Sequence, residues 1–139
     1  MTRVAWQILP ATLLLQLGGA MAQINQNLPV PGAGDPLRGE AIVSSRQTGL
    51  CLLCHSAPVG DARFQGNLAP SLAGAGKRWT AAQLRQRVAN PRSLNPDSIM
   101  PAYASTDGLN RVGSAWVGQP LLTGQQIEDV VAFLLTLQE

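Results

Sequence analysis

The sequence predicts an all-α domain, on three observations. Two segments open with a capping box and run on with apolar residues at helical spacing. A third opens with Asp-Pro, a favourable helix start. No stretch alternates apolar and polar residues as a half-buried strand does. The chain has 139 residues, 45% of them apolar and 13% charged, which suits one folded domain and not a disordered tail.

The first residues, MTRVAWQILPATLLLQLGGAMAQ, carry one arginine, an apolar stretch and then Ala20-Met21-Ala22. This is the pattern of an export signal cut after a small-x-small site, so residues 1–22 are expected to be a signal peptide. A retained membrane anchor is the competing reading. Gln7, Pro10 and Gln16 interrupt a segment already short of the roughly 20 apolar residues a span needs. Residues 23–34, QINQNLPVPGAG, are polar and rich in Pro and Gly, and read as a flexible leader to a domain over 35–139. From Gln23 onward nine Lys and Arg face eight Asp and Glu, a net charge of +1, so no global field argues for nucleic acid.

Asp35 is placed to cap the first helix, with Pro36 at its first position, where the missing N–H has no partner to lose. In TAAQLRQRVANP, Thr80 and Gln83 form a capping box, Leu84 and Val88 share a face, and Pro91 stops the helix. In TGQQIEDVVAFLLTL, Thr123 and Gln126 repeat the box, and Ile127, Val130, Val131 and Leu134 follow the i, i+3, i+4, i+7 spacing of a buried stripe; Phe133 is expected in the core. Two long connections remain, Ser56 to Trp79 and Tyr103 to Leu122. Loops of that length in a small domain are usually functional or wrapped around something.

The chemistry is concentrated in GLCLLCHSAP, which holds the chain's two cysteines, Cys51 and Cys54, and its single histidine, His55. A structural zinc site normally needs four protein ligands, and no further Cys or His exists to complete one. A redox-active dithiol would use the same C-x-x-C in a βαβ setting, which the sequence lacks. The remaining reading is covalent attachment of a c-type haem, whose signature is C-x-x-C-H. Residues three apart lie on one face of a helical turn, so both sulfurs can reach the vinyl groups along one side of a porphyrin. The next residue can then place an imidazole under the iron. For the opposite side, Met100 is the single methionine left once a signal peptide is removed, and Lys77 the single lysine. Those two, water or a small exogenous ligand are the candidates, with Met100, followed by Pro101, expected to ligate the iron.

CLLCH, the stretch GNLAPSLAGAGKR, the loop SIMPAY and the C-terminal helix together resemble the class I c-type cytochromes over about residues 35–137. Within them, ANPRSLNPDSIMPAY and GQPLLTGQQIEDVVAFLLTL are similar to the SoxX subunits of sulfur-oxidation systems. The resemblance implies a class I cytochrome c fold packed around one haem c, with Cys51 and Cys54 covalently bound and His55 and Met100 axial. It also implies that the Pro70 carbonyl accepts a hydrogen bond from His55 Nδ1. The implied role is a periplasmic electron-transfer subunit, not catalytic alone, in an L-cysteine S-thiosulfotransferase type of enzyme. Its expected partner is a SoxA-like haem subunit in a heterodimer. That pair couples thiosulfate to a cysteine of a SoxYZ-like carrier and passes electrons to a downstream acceptor. A free-standing carrier serving an oxidase, or an open haem that binds small ligands, would use the same attachment site.

Two further features stand out. Residues 62–96 hold no acidic residue but contain Arg63, Lys77, Arg78, Arg85, Arg87 and Arg92, a candidate basic face whose expected role is solvation. Trp116, in the long glycine-bearing loop, is expected to pack inside the domain.

Overall fold

The computed structural model describes residues 32–139; the expected signal peptide and most of the expected leader lie outside the described residues. The described residues form four α-helices and no strand. These are α1 (Pro36–Ser44), α2 (Ala75–Arg78), α3 (Ala81–Ala89) and α4 (Gly124–Thr136), with single 3₁₀ turns at Cys51–Leu53, Ala62–Phe64, Pro91–Ser93 and Ser114–Trp116.

Each of the three expected helices starts where its cap lies. The Asp35 carboxylate accepts from Leu37 N at 2.8 Å and Arg38 N at 3.1 Å, which satisfies donors that have no partner within the helix. Thr80 with Gln83, and Thr123 with Gln126, close both capping boxes reciprocally. α3 ends at Ala89, and Pro91 opens the following 3₁₀ turn instead of continuing the helix.

α4 is the element on which the others pack: α1, α2 and α3 all lie against it. Its expected stripe is buried, together with Phe133. Removing an aliphatic side chain such as Val130 from water contributes about 1.5–3 kcal/mol. The α1–α4 contact is close enough to need glycine, because a Cβ on Gly39 would overlap the Asp129 carbonyl. α2 was not foreseen. It docks on the end of α4 through Gly76 N, which donates to Leu137 O at 2.8 Å, and a Cβ at Gly76 would overlap the Leu135 carbonyl.

An ion pair locks the same crossing. Asp129 is 2% exposed, accepts from Arg38 Nε and Nη2 at 2.9 Å each, and takes further hydrogen bonds from Asp35 N and Gln125 Nε2. The Arg38 guanidinium is the main reason that its carboxyl is held down, at about 2, with burial opposing.

Two expectations about the surface resolve differently. Trp116 does not pack inside the domain: it is 63% exposed, on a loop whose Gly108 and Gly118 sit at positive φ and whose chain returns to the core only at Leu122. The basic stretch is largely committed to local partners, in keeping with a solvated face. Arg63 pairs with Asp61 and Arg85 with Glu128, while Arg87 stacks 3.5 Å from the Trp79 ring centroid. Arg78 donates to the carbonyls of Ala73 and Ser71.

The Arg38–Asp129 pair makes stability depend on pH. A carboxyl whose folded pKa lies below its ordinary 3.8 stabilises the fold fully above that value and loses its contribution as pH falls through 3.8 toward 2. Asp129→Asn should cost about 1–3 kcal/mol near neutral pH, below the cost of breaking a fully buried pair because Arg38 is half exposed. Urea unfolding at several pH values checks both points: the variant should lose part of the wild-type decline between pH 4 and 2.

Candidate haem-binding site

The attachment segment is bent into place by two backbone features. Gly49 is buried against α1, where a Cβ would overlap the Ile42 carbonyl, and Leu50 takes the left-handed region at φ 60. A branched-chain residue adopts that region only when its surroundings hold it there. The chain then enters the Cys51–Leu53 turn, in which Cys54 N and His55 N both donate to Cys51 O. The two sulfur-bearing residues thus sit one turn apart, with His55 next in line.

A strap from Gly66 to Leu72 fastens this turn from the other side. Gly66 N, Ala69 N and Leu72 N donate to the carbonyls of Leu52, Cys54 and Ser56 at 2.8, 2.9 and 2.8 Å. Gly66 is required at this approach, since a Cβ there would overlap the Leu53 carbonyl. Gln65 adds a staple, accepting from Ala57 N at 2.7 Å and donating to Val59 O at 2.5 Å. The strap presents the Pro70 carbonyl to His55 Nδ1 at 2.6 Å, as the resemblance implied. A carbonyl can only accept, so Nδ1 carries the proton and Nε2 is left with its lone pair for a metal.

Cys51, Cys54, His55 and Met100 all line one cavity of about 250 Å³. The remaining walls come from Val43 of α1, Val88 of α3, Val130 and Leu134 of α4, and the loop residues Leu72 and Leu122, among others. No Asp, Glu, Lys or Arg lies among the lining residues. Met100 reaches the cavity from the loop after α3, where its N–H donates to Ser98 Oγ at 3.3 Å and Pro101 fixes the next backbone angle. Two thiols one turn apart, an imidazole with its free nitrogen set by a carbonyl, a thioether and apolar walls form a donor set that fits a haem joined through sulfur.

Sequence reasoning missed Tyr103, which is 3% exposed, lines the cavity and donates its hydroxyl to Gly49 O at 2.5 Å. The signal was available in part, as an aromatic three residues beyond Met100. Burial, with the nearby Cys51 second, pushes the Tyr103 hydroxyl well above its ordinary value, so it stays a donor. Burial likewise pushes the Cys51 thiol up, while the Tyr103 hydroxyl works against that rise.

The family model for cytochrome c matches residues 38–138 of the chain. Among solved structures, the chain is similar to SoxXA from P. pantotrophus, with 43% identity over 78% of this chain and 85% of that one, and a TM-score of 0.70. None of the curated proteins compared matches the chain.

Replacing the glycine of the strap tests how the imidazole is held. Gly66→Ala should push the strap away from the Leu53–Cys54 backbone and destabilise the holoprotein by about 1–3 kcal/mol. Guanidinium unfolding followed at the Soret band measures the cost, and wild-type stability would show that the strap tolerates the methyl group.

Proposed function

Because the chain belongs to the cytochrome c family and is a SoxX-type member of it, we propose that Cys51 and Cys54 hold its haem through thioethers and that His55 and Met100 are the axial ligands. A SoxX-type cytochrome carries one covalent haem c and serves as an electron-transfer subunit. The observation that carries the ligand assignment is the convergence of these four side chains on one apolar cavity, with the His55 tautomer fixed by Pro70.

When bound, the haem supplies a one-electron couple; the chain supplies everything that tunes it. Pro70 keeps the proton on Nδ1, so His55 offers Nε2 without having to choose a tautomer. Ser98 and Pro101 restrain the backbone on either side of the Met100 sulfur. Held by His55 and Met100, a haem would have a higher reduction potential than with two nitrogen ligands and would keep no open position for a substrate. The apolar walls would surround a bound haem with a low-polarity environment, which would disfavour its more highly charged oxidised state.

The wider setting follows from the likeness to a SoxXA structure. The proposed partner is a SoxA-like haem subunit, and the pair would couple thiosulfate to a cysteine of a SoxYZ-like carrier while this chain relays the electrons to a downstream acceptor. The proposed compartment is the periplasm, reached through a signal peptide over residues 1–22. Among the described residues no helix is long and apolar enough to cross a membrane.

Reduced wild-type protein should refuse carbon monoxide at neutral pH, whereas Met100→Ala should bind it and lose on the order of 0.1–0.3 V of reduction potential. Optical titration and potentiometry read the two effects, and a wild type that takes up carbon monoxide readily would overturn the axial assignment. Native mass spectrometry of the periplasmic protein tests the partner: one haem and a second, haem-bearing subunit are expected, and a lone chain of monomer mass would count against the heterodimer.

A further inference from the structure

The segments carrying the two proposed axial ligands are far apart in sequence, yet one side chain joins them directly. Tyr103 lies three residues beyond Met100 and is pinned in its own loop. Its N–H donates to Val88 O of α3 at 3.3 Å, and its carbonyl accepts from Leu122 N at 3.0 Å. Its ring lines the cavity, and its hydroxyl crosses to the Gly49 carbonyl, two residues before Cys51. That carbonyl belongs to a residue with little room to move, since Gly49 lies against the Ile42 carbonyl.

The Gly49 oxygen takes hydrogen bonds from both Tyr103 Oη and Cys51 Sγ, the latter at 3.3 Å. Thioether formation adds the Cys51 S–H across a vinyl group: a carbon–sulfur bond forms, the hydrogen moves to the other vinyl carbon, and no electron is exchanged. Of the two side-chain donors, Tyr103 alone then remains. Withdrawing it would strand a buried carbonyl, which is costly.

We propose that Tyr103 is a positioning residue that latches the Met100 loop to the attachment turn and so keeps the Met100 sulfur on the iron against competing ligands. The inference rests on the reading of Met100 as an axial ligand. Pro101 removes slack between Met100 and Tyr103, so swinging the sulfur away strains or breaks the Tyr103–Gly49 bond. An exogenous ligand must overcome that bond as well as the iron–sulfur bond.

The test is imidazole binding to the ferric holoprotein, followed through the near-infrared charge-transfer band of methionine-ligated haem. Tyr103→Phe should keep the band and bind imidazole about three- to tenfold more tightly. Gly76→Ala, which loosens α2 on the end of α4 away from Gly49, Tyr103 and the cavity lining, should bind imidazole as the wild type does. Tyr103 is the chain's single tyrosine, so growth on 3-fluorotyrosine alters this hydroxyl alone; as a stronger donor it should weaken imidazole binding. This second protein carries the test if Tyr103→Phe fails to mature. Wild-type affinity in Tyr103→Phe, equal tightening in Gly76→Ala, or no weakening in the fluorinated protein would overturn the latch and leave Met100 ligation standing. A wild type without the charge-transfer band would overturn both.

Discussion

The hydrogen bond between His55 Nδ1 and the Pro70 carbonyl is the constraint from which the rest of the site follows. An imidazole directly after the second cysteine could turn either nitrogen inward. With Nδ1 tied to a carbonyl, one orientation and one tautomer are left, and Nε2 is the nitrogen that the proposed ligation would use. That carbonyl is in turn placed by three backbone hydrogen bonds between the strap and the attachment turn, and by Gly66, whose missing side chain lets the two backbones approach. The helices serve this arrangement: α1 supports the turn through Gly49 and is itself locked to α4 by Arg38 and Asp129.

What could be read from the sequence divides along a physical line. The starts of α1, α3 and α4 depend on a cap and the few residues after it, all of which are adjacent in the chain. The proposed attachment motif is local for a related reason: binding one group at two points would fix the separation of the residues that perform it. α2 has four residues, too few to show a period, and its stability comes from docking on the end of α4. The Arg38–Asp129 pair joins residues 91 apart and the Tyr103–Gly49 bond residues 54 apart. No local pattern records either one. Trp116 misled because a large aromatic residue usually carries burial, whereas its loop returns to the core only at Leu122.

The cytochrome c family model covers most of the described chain, and the similarity to SoxXA extends over 78% of the whole. The core itself draws little on the long connections. The buried apolar residues come from the helices, Leu137 just past α4, the attachment turn, and Tyr103 and Leu122 at the two ends of the second connection. Residues 104–121 between them leave Leu109, Trp116, Val117 and Leu121 exposed. The loop therefore adds length without adding to the core, and its ends matter more to the cavity than its middle.

The two sides of the cavity are held by different means, and that difference decides how the site responds to stress. On the His55 side, backbone bonds at 66, 69 and 72 share the load, so no single side chain is indispensable. On the Met100 side, backbone bonds hold the chain beyond the sulfur, at Tyr103 and Ala104, while Met100 itself is restrained by the Ser98 hydroxyl, a proline, and a tyrosine bonded across the cleft. Residues 99–101 themselves make no backbone–backbone hydrogen bond among the described residues, and a stretch held by side chains alone has a lower free energy of local opening. With the axial ligands proposed above, the sulfur side is thus the side that would yield first, while the imidazole and the covalent attachment would keep the haem in place. A haem held as proposed could then exchange its sulfur ligand without unfolding of the helices, and the strength of a few side-chain contacts would set how often it did.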